Sequence, residues 1–274
     1  MASPPDQPGG SIDLMTDRAH SARAYDYLMG GKDNYEADRV IGDAAAKAWP
    51  AVRLAVRSNR AFMHRAARFA ADGGIQQFLD IGTGIPTRPN LHEIVQGITP
   101  QARVLYVDND PIVLAHAAAL LVSDPRGRTE FLRGDARDPA SIVASAPARA
   151  LFDFAQPLSV SVIGLLHFLD DDTALRLVRT LLEAIPSGSL IALTNITREL
   201  DPETIDNAAA GYAGGGVRTY LRGKAEIADL FLTGLDVVEP GIVVVHRWRP
   251  ESNSEFADVP DADISVYGVV AHKP

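Results

Sequence analysis

From residue 75 onward, short apolar runs alternate with amphipathic segments. This rhythm predicts an α/β fold with a largely parallel sheet covered by helices on both faces. Two details sharpen the expectation. The first run passes directly into a glycine turn, Gly82-Thr83-Gly84, and an acidic residue stands at or just past the end of each of the first three runs: Asp80, Asp108 and Asp135. In a doubly wound sheet those three strand ends open on one edge, where such folds bind ligands. The pattern is that of a Rossmann-like three-layer sandwich.

Taken in order, residues 1–16, beginning MASPPDQPGGS, are expected to be a disordered tail without the apolar stretch of a secretory signal. Residues 17–74 are expected to form a helical cap. Tyr25, Leu28 and Met29 share one helix face, ended at Gly30-Gly31. A second helix is expected over 35–48, stopped at Trp49-Pro50. A third is expected over 51–71, with Val52, Ala55, Val56, Phe62 and Phe69 on its apolar side and Gly73-Gly74 closing it. Strands follow at 78–81, 104–107, 131–132, 160–163 and 190–193, with helices near 92–96, 111–121, 141–145 and 172–185. Pro111 suits a first helical turn, where its missing N–H is not needed, and Asp170, Asp171 and Asp172 suit a helix N-terminus. The glycine- and alanine-rich stretch 199–223, with Gly214-Gly215-Gly216, reads as a mobile lid inserted into the domain. A helix over 224–231 and late strands at 237–238, 242–245 and 264–270 complete a domain spanning 75–274.

Composition narrows the function classes. The 274 residues are 46% hydrophobic and 22% charged, enough to bury a core without disulfide or metal staples. There is no cysteine, which excludes thiolate zinc sites and cysteine nucleophiles and suits a cytoplasmic protein. The formal net charge of -9 argues against a nucleic-acid partner. The arginines at 53, 57, 60, 65 and 68 are expected to be a solvated helix face. No apolar run approaches the roughly 20 residues of a membrane span. The longest, 158–169, is broken by Ser159, Ser161, Gly164 and His167. No spacing of histidines and carboxylates suggests a metal site.

The acids discriminate between ligands. A dinucleotide brings a pyrophosphate, which needs bare N–H groups at a helix N-terminus. Asp80 beside the glycine turn would oppose it, and Thr87 stands where the third glycine of the dinucleotide fingerprint belongs. S-adenosylmethionine has no phosphate; it carries an ammonium, a sulfonium and a ribose diol. Asp80 can hold its amino-acid end. Asp108, about 20 residues past the glycines, can accept the ribose hydroxyls, and Asp135 with Ala136 can receive the adenine amino group.

At this point the motifs FLDIGTG (78–84), VLYVDNDP (104–111) and FLRGDARDP (131–139) resemble successive motifs of class I S-adenosylmethionine-dependent methyltransferases. VIGLLHFLDDD (162–172) resembles their fourth-strand motif, and LDVVEPG (235–241) with YGVVAHK (267–273) their closing antiparallel pair. The block ARAYDYLMGGKDNYEADR (22–39) is similar to that of an actinobacterial family long listed as a domain of unknown function; WRP at 248–250 fits as well. The resemblance runs from Ser21 to the end. It implies a seven-stranded sheet with its last strand antiparallel, preceded by helices that cap the cofactor edge. It also implies a cofactor pocket lined by Asp80, Gly82, Thr83, Gly84, Asp108, Asn109, Asp135 and Ala136. The resemblance supplies no acceptor; the acidic charge and modest cap favour a small molecule.

On the acceptor side, His167 follows the fourth strand, where a general base for a hydroxyl acceptor would stand; a histidine hydrogen-bonded at a helix start is the structural alternative. The GGKDNY segment at 30–35, with Gly31 and Lys32, is expected to close over the methionine end of the cofactor, alongside Tyr25, Tyr27, Asp33, Asn34 and Tyr35. His246, Trp248 and Arg249 suit packing and rim, and His64 an exposed helix face. Two competing functions stay open: a sensor that binds S-adenosylmethionine or S-adenosylhomocysteine without chemistry, and a nicotinamide-dependent oxidoreductase.

Overall fold

In a computed structural model, which describes residues 15–120 and 123–274, the apolar runs form one sheet. Strands β1 (Gln77–Ile81), β2 (Arg103–Asp108), β3 (Arg128–Arg133), β4 (Ser159–Val162) and β5 (Leu190–Ile196) run parallel. Strand β8 (Val266–His272) lies antiparallel beside β5. The order is β3-β2-β1-β4-β5-β8-β6, with β6 being Asp236–Val237 and β7 (Val243–Val244) also paired to β8. The order reverses between β1 and β4, the switch point at which an open parallel sheet leaves a crevice at its carboxyl ends. The expected seventh position is therefore shared. Both β6 and β7 add to the free edge of β8, and Glu239-Pro240-Gly241 lies between them. Proline has no N–H to give a ladder, so one continuous edge strand is not available there.

Helices α4 (Leu91–Ile98) and α5 (Pro111–Leu120) cross over from β1 to β2 and from β2 to β3. Helices α6 (Pro139–Ala144), α7 (Ala146–Leu151) and α8 (Asp171–Ala184) follow β3 and β4. Right-handed crossovers place the two sets on opposite faces. α8 packs on α6 and on α10 (Lys224–Phe231), completing one outer layer. Asp170 caps α8 by accepting from the Thr173 N–H at 2.8 Å, and Pro111 opens α5, both as the sequence suggests. A short helix α11 (Asp261–Ile264) leads into β8.

The cap consists of α1 (Ser21–Met29), α2 (Glu36–Ala48) and α3 (Val52–Asp72). The arginines of α3 are a solvated face only in part, at Arg57 and Arg68. Arg65 is buried, donating from Nε to the Trp248 carbonyl at 2.8 Å and from Nη2 to the Val245 carbonyl at 2.7 Å. Trp248 itself is fully buried, edge-on to Phe62 and Phe69. Arg57 and Arg68 pair with Glu255 and Glu251, and Arg53 lies over the Tyr27 ring. Helix α3 is thus bolted to the C-terminal segment, and truncating Trp248 to alanine would cost about 3–5 kcal/mol. His64 is likewise half-buried, and desolvation with Arg60 and Arg68 nearby pushes its imidazole down to about 4.

The stretch 199–223 is not a bare loop. Asp201 caps α9 (Pro202–Gly214), which packs along α2. Of the tail expected over 1–16, residues 1–14 lie outside the described residues.

Candidate active site

The sheet's carboxyl edge carries a cavity of about 430 Å³. Its floor is made of turns that follow successive strands. Gly82 and Thr83 donate their backbone N–H groups to the Val107 carbonyl at 2.8 and 3.2 Å, fastening the β1 turn to β2. Gly82 has φ 72°, a backbone that favours glycine, and a Cβ there would also come within 2.9 Å of the Leu165 side chain. Gly84 (φ 69°) turns its N–H onto Asp108 Oδ2 at 2.8 Å, and Asp110 N–H reaches Asp108 Oδ1 at 3.0 Å. Asp108 is thereby aimed with lone pairs to spare. Burial pushes its carboxyl up, opposed by the N–H groups of Asp110 and Gly84. Asp80 is buried at the end of β1, held by Thr83 Oγ1 at 3.2 Å. Desolvation pushes it up to about 6, against the field of Arg60 and the Thr83 hydrogen bond. Asp135 ends the row beyond β3, accepting from Arg137 N–H at 2.9 Å.

Side chains build the roof. Residues 19–22 cross the mouth of the cavity. They are fastened by a buried network in which Asp110 Oδ2 meets Arg23 Nε at 3.1 Å and His20 Nδ1 at 3.3 Å, while Asp38 accepts from the His20 N–H at 2.8 Å. From α3, Asn59 and Arg60 line the cavity, with Met63 one helical turn further on. Tyr25 donates to the Val56 carbonyl at 2.8 Å and accepts from Asn59 Nδ2 at 3.2 Å, which leaves Asn59 Oδ1 buried without a partner. Residues 163–165 after β4 and 216–220 after α9 close the remaining sides. Arg222, buried below them, donates to the Leu166 and Leu169 carbonyls and to Asn195 Oδ1, so the turn after β4 is rigidly placed.

Of the residues singled out from sequence, Asp80, Gly82, Thr83, Gly84, Asp108, Asn109, Asp135 and Ala136 all line this cavity. Gly31, Lys32 and His167 do not. The GGKDNY turn has another task. The buried Asp26 carboxylate accepts from Asp33 N–H at 3.0 Å and Asn34 Nδ2 at 2.9 Å, and a Cβ on Gly31 would overlap it. The glycine there leaves room for the Asp26 carboxylate. His167 is buried against Phe168, and desolvation plus the Arg222 charge push its imidazole down to about 3. Its Nδ1 makes no hydrogen bond among the described residues, so the hydrogen-bonded histidine that the sequence also allows is not what stands here. Nothing local in the sequence marks the roof residues His20, Arg23, Asn59 and Arg60 as site residues, because each is placed by partners distant in the chain. Among the described residues no cluster of histidine, aspartate and glutamate is arranged to hold a metal, and no helix is long and apolar enough to cross a membrane.

The donor set fits S-adenosylmethionine. A buried carboxylate at Asp80 awaits a cation, Asp108 offers two oriented oxygens to a diol, and no bare N–H cluster is left for a pyrophosphate, since the Gly82, Thr83 and Gly84 amides are spent on protein acceptors. Comparison with known proteins agrees. The chain matches the S-adenosyl methyltransferase family model over residues 7–274. It is similar to the crystal structure of a DUF574 family protein from Streptomyces avermitilis, with 48% identity and a TM-score of 0.91 over 96% of this chain and 100% of that one. It is also similar to a Thermobifida fusca protein provisionally classed as a methyltransferase, with 34% identity and a TM-score of 0.87 over 97% and 99% of the two chains. No curated protein matches it. The chain therefore belongs to the S-adenosyl methyltransferase family and is an enzyme that uses S-adenosylmethionine as its methyl donor.

Proposed function

We propose that the enzyme methylates a small molecule held in the same cavity as the cofactor. The observation that carries this reading is that the strand ends, the helical cap and residues 216–218 and 220 line one and the same cavity. Residues 19–22, the inner face of α3 and residues 216–220 surround the strand ends, and about 430 Å³ lies within the range of small-ligand pockets. The acidic chain, at net charge -9, is poorly suited to a phosphate backbone.

In this reading Asp108 and Asn109 hold the ribose, Asp135 and Ala136 the adenine, and Asp80 with the Gly82-Thr83-Gly84 turn the amino-acid end. The cofactor supplies a methyl group already activated on a sulfonium. The protein's part is to orient the acceptor and exclude water. Tyr25, Asn59 and Phe168 stand nearest the turn after β4 and form the acceptor side. Residues 17–74 act as the cap of a 75–274 transferase domain, and 199–223 as a lid whose inner edge is 216–220. The cysteine-free composition is compatible with a cytoplasmic setting.

A fractionated cell extract tests the acceptor class. Purified enzyme and S-adenosylmethionine are incubated with the low-molecular-weight filtrate or with the macromolecular retentate, and S-adenosylhomocysteine release is measured. Stimulation by the filtrate is expected; stimulation confined to the retentate contradicts a small acceptor.

A further inference from the structure

Where the turn after β4 approaches α3, an amide is held among apolar side chains. Tyr25 gives its one hydroxyl hydrogen to the Val56 carbonyl at 2.8 Å. Its oxygen can then only accept from Asn59, which orients that amide with Nδ2 toward Tyr25 at 3.2 Å. Gly164, at φ 70°, brings the turn so close that a Cβ there would lie 3.2 Å from the same Nδ2. Asn59 Oδ1 is left as a hydrogen-bond acceptor without a partner, on a side chain that is 4% exposed and belongs to the cavity lining. Leaving a buried acceptor unmade is costly, so such a group marks a place for a donor. Met63, Ile163, Leu165 and Phe168 add apolar walls on the same side.

This side is poor in bases. His20 stands at the β2 end with Asp110, and Asp80 and Asp108 are assigned to the cofactor. Asp170 caps α8, where the Thr173 N–H holds its carboxyl below the usual range. His167 lies outside the lining. We propose that the methyl acceptor is a neutral amine and that Asn59 selects it by taking one of its N–H groups on Oδ1. The proposal rests on the acceptor side assigned above. An anionic nucleophile would meet the lone pairs of the amide oxygen. A hydroxyl would lose its only proton as it attacks, and an amide cannot take that proton. An amine attacks with its lone pair and keeps the N–H on Asn59. The N–C bond forms as the methyl C–S bond breaks, and the bonding pair stays on sulfur, giving S-adenosylhomocysteine. The methylammonium then releases its extra proton to solvent.

The full chain is incubated with S-adenosylmethionine carrying a 13C methyl group and with the filtrate or the retentate of a cell extract, and carbon NMR identifies the atom that receives the label. Label on nitrogen of a small molecule is expected. Label on oxygen, sulfur or carbon overturns the amine and leaves a small acceptor standing. Label confined to the retentate, or no transfer at all, overturns the small acceptor and the amine together. In Asn59→Leu, kcat/KM for the labelled amine is expected to fall about ten- to a hundred-fold, with S-adenosylhomocysteine affinity by calorimetry within about two-fold of wild type. Asn59→Ala replaces it should the leucine variant not bind that ligand. Unchanged turnover in a variant that binds, or loss of S-adenosylhomocysteine binding in both, overturns the selecting role of Asn59.

Discussion

The floor and the roof of the cavity are built by different means. On the floor, position follows from the backbone: each of Asp80, Asp108 and Asp135 stands where a parallel strand gives way to a turn, and the sheet register brings the turns together. On the roof, position follows from side chains that cross long sequence separations. Arg23 reaches Asp110, Tyr25 reaches the Val56 carbonyl, and Arg60 reaches the loop at 87–89. The floor is therefore insensitive to most single substitutions outside its own residues, whereas the roof depends on a few buried charges.

The largest expected effect is on the roof. Arg23→Ala leaves Asp110 and Asp38 buried without their cation, and loss of about 3–5 kcal/mol in denaturant unfolding is expected. A loss below about 1 kcal/mol would show that the roof is not held by this network. Next, Gly31→Ala drives a methyl group into the Asp26 carboxylate. Destabilisation by about 1–3 kcal/mol is expected with unchanged cofactor affinity; a selective loss of affinity would return the GGKDNY turn to the site.

The floor answers to pH. Without ligand, folded Asp80 holds its proton more tightly than the unfolded chain does. Its contribution to stability is complete below the ordinary value of 3.8 and is lost as pH rises through about 6. A cationic ligand group reverses the preference. S-adenosylmethionine affinity should climb by up to about ten-fold per pH unit toward 6 and level off above it. Asp80→Asn should flatten the profile; a profile that stays steep in the variant assigns the proton to another group. The smallest effects belong to Lys32→Ala and His167→Gln, both outside the cavity, for which titration should find affinity within about two-fold of wild type.

The same contrast explains what the sequence discloses. Strand runs, the glycine turn and the three acids are local features, and the five parallel strands and the acids lie where the pattern puts them, whereas the run expected over 264–270 ends α11 before it becomes β8 at Val266. The class of helix-forming stretches was also legible, except where composition misled. The glycine- and alanine-rich stretch 199–223 contains α9, because Asp201-Pro202 starts a helix and packing on α2 outweighs weak propensity. The arginines of α3 look like a solvated face because nothing local shows that Arg65 will meet the Trp248 and Val245 carbonyls some 180 residues away. Gly31 and Lys32 lie outside the cavity lining for a related reason. A distinctive motif signals a constraint, and here the constraint is the buried Asp26 carboxylate. His167 follows the fourth strand as a base would, but its neighbours Phe168 and Arg222 are gathered by the fold, and they keep it buried and neutral.

The most direct test of the central claim is calorimetric titration of wild type and Asp108→Ala with S-adenosylmethionine, S-adenosylhomocysteine and NAD. The strand-end acids should give tight binding of both adenosyl ligands and none of NAD, with affinity falling about ten- to a hundred-fold when the two carboxylate oxygens of Asp108 are removed. Tight binding of NAD, or adenosyl binding that survives intact in Asp108→Ala, would contradict the assignment of this cavity as the cofactor site.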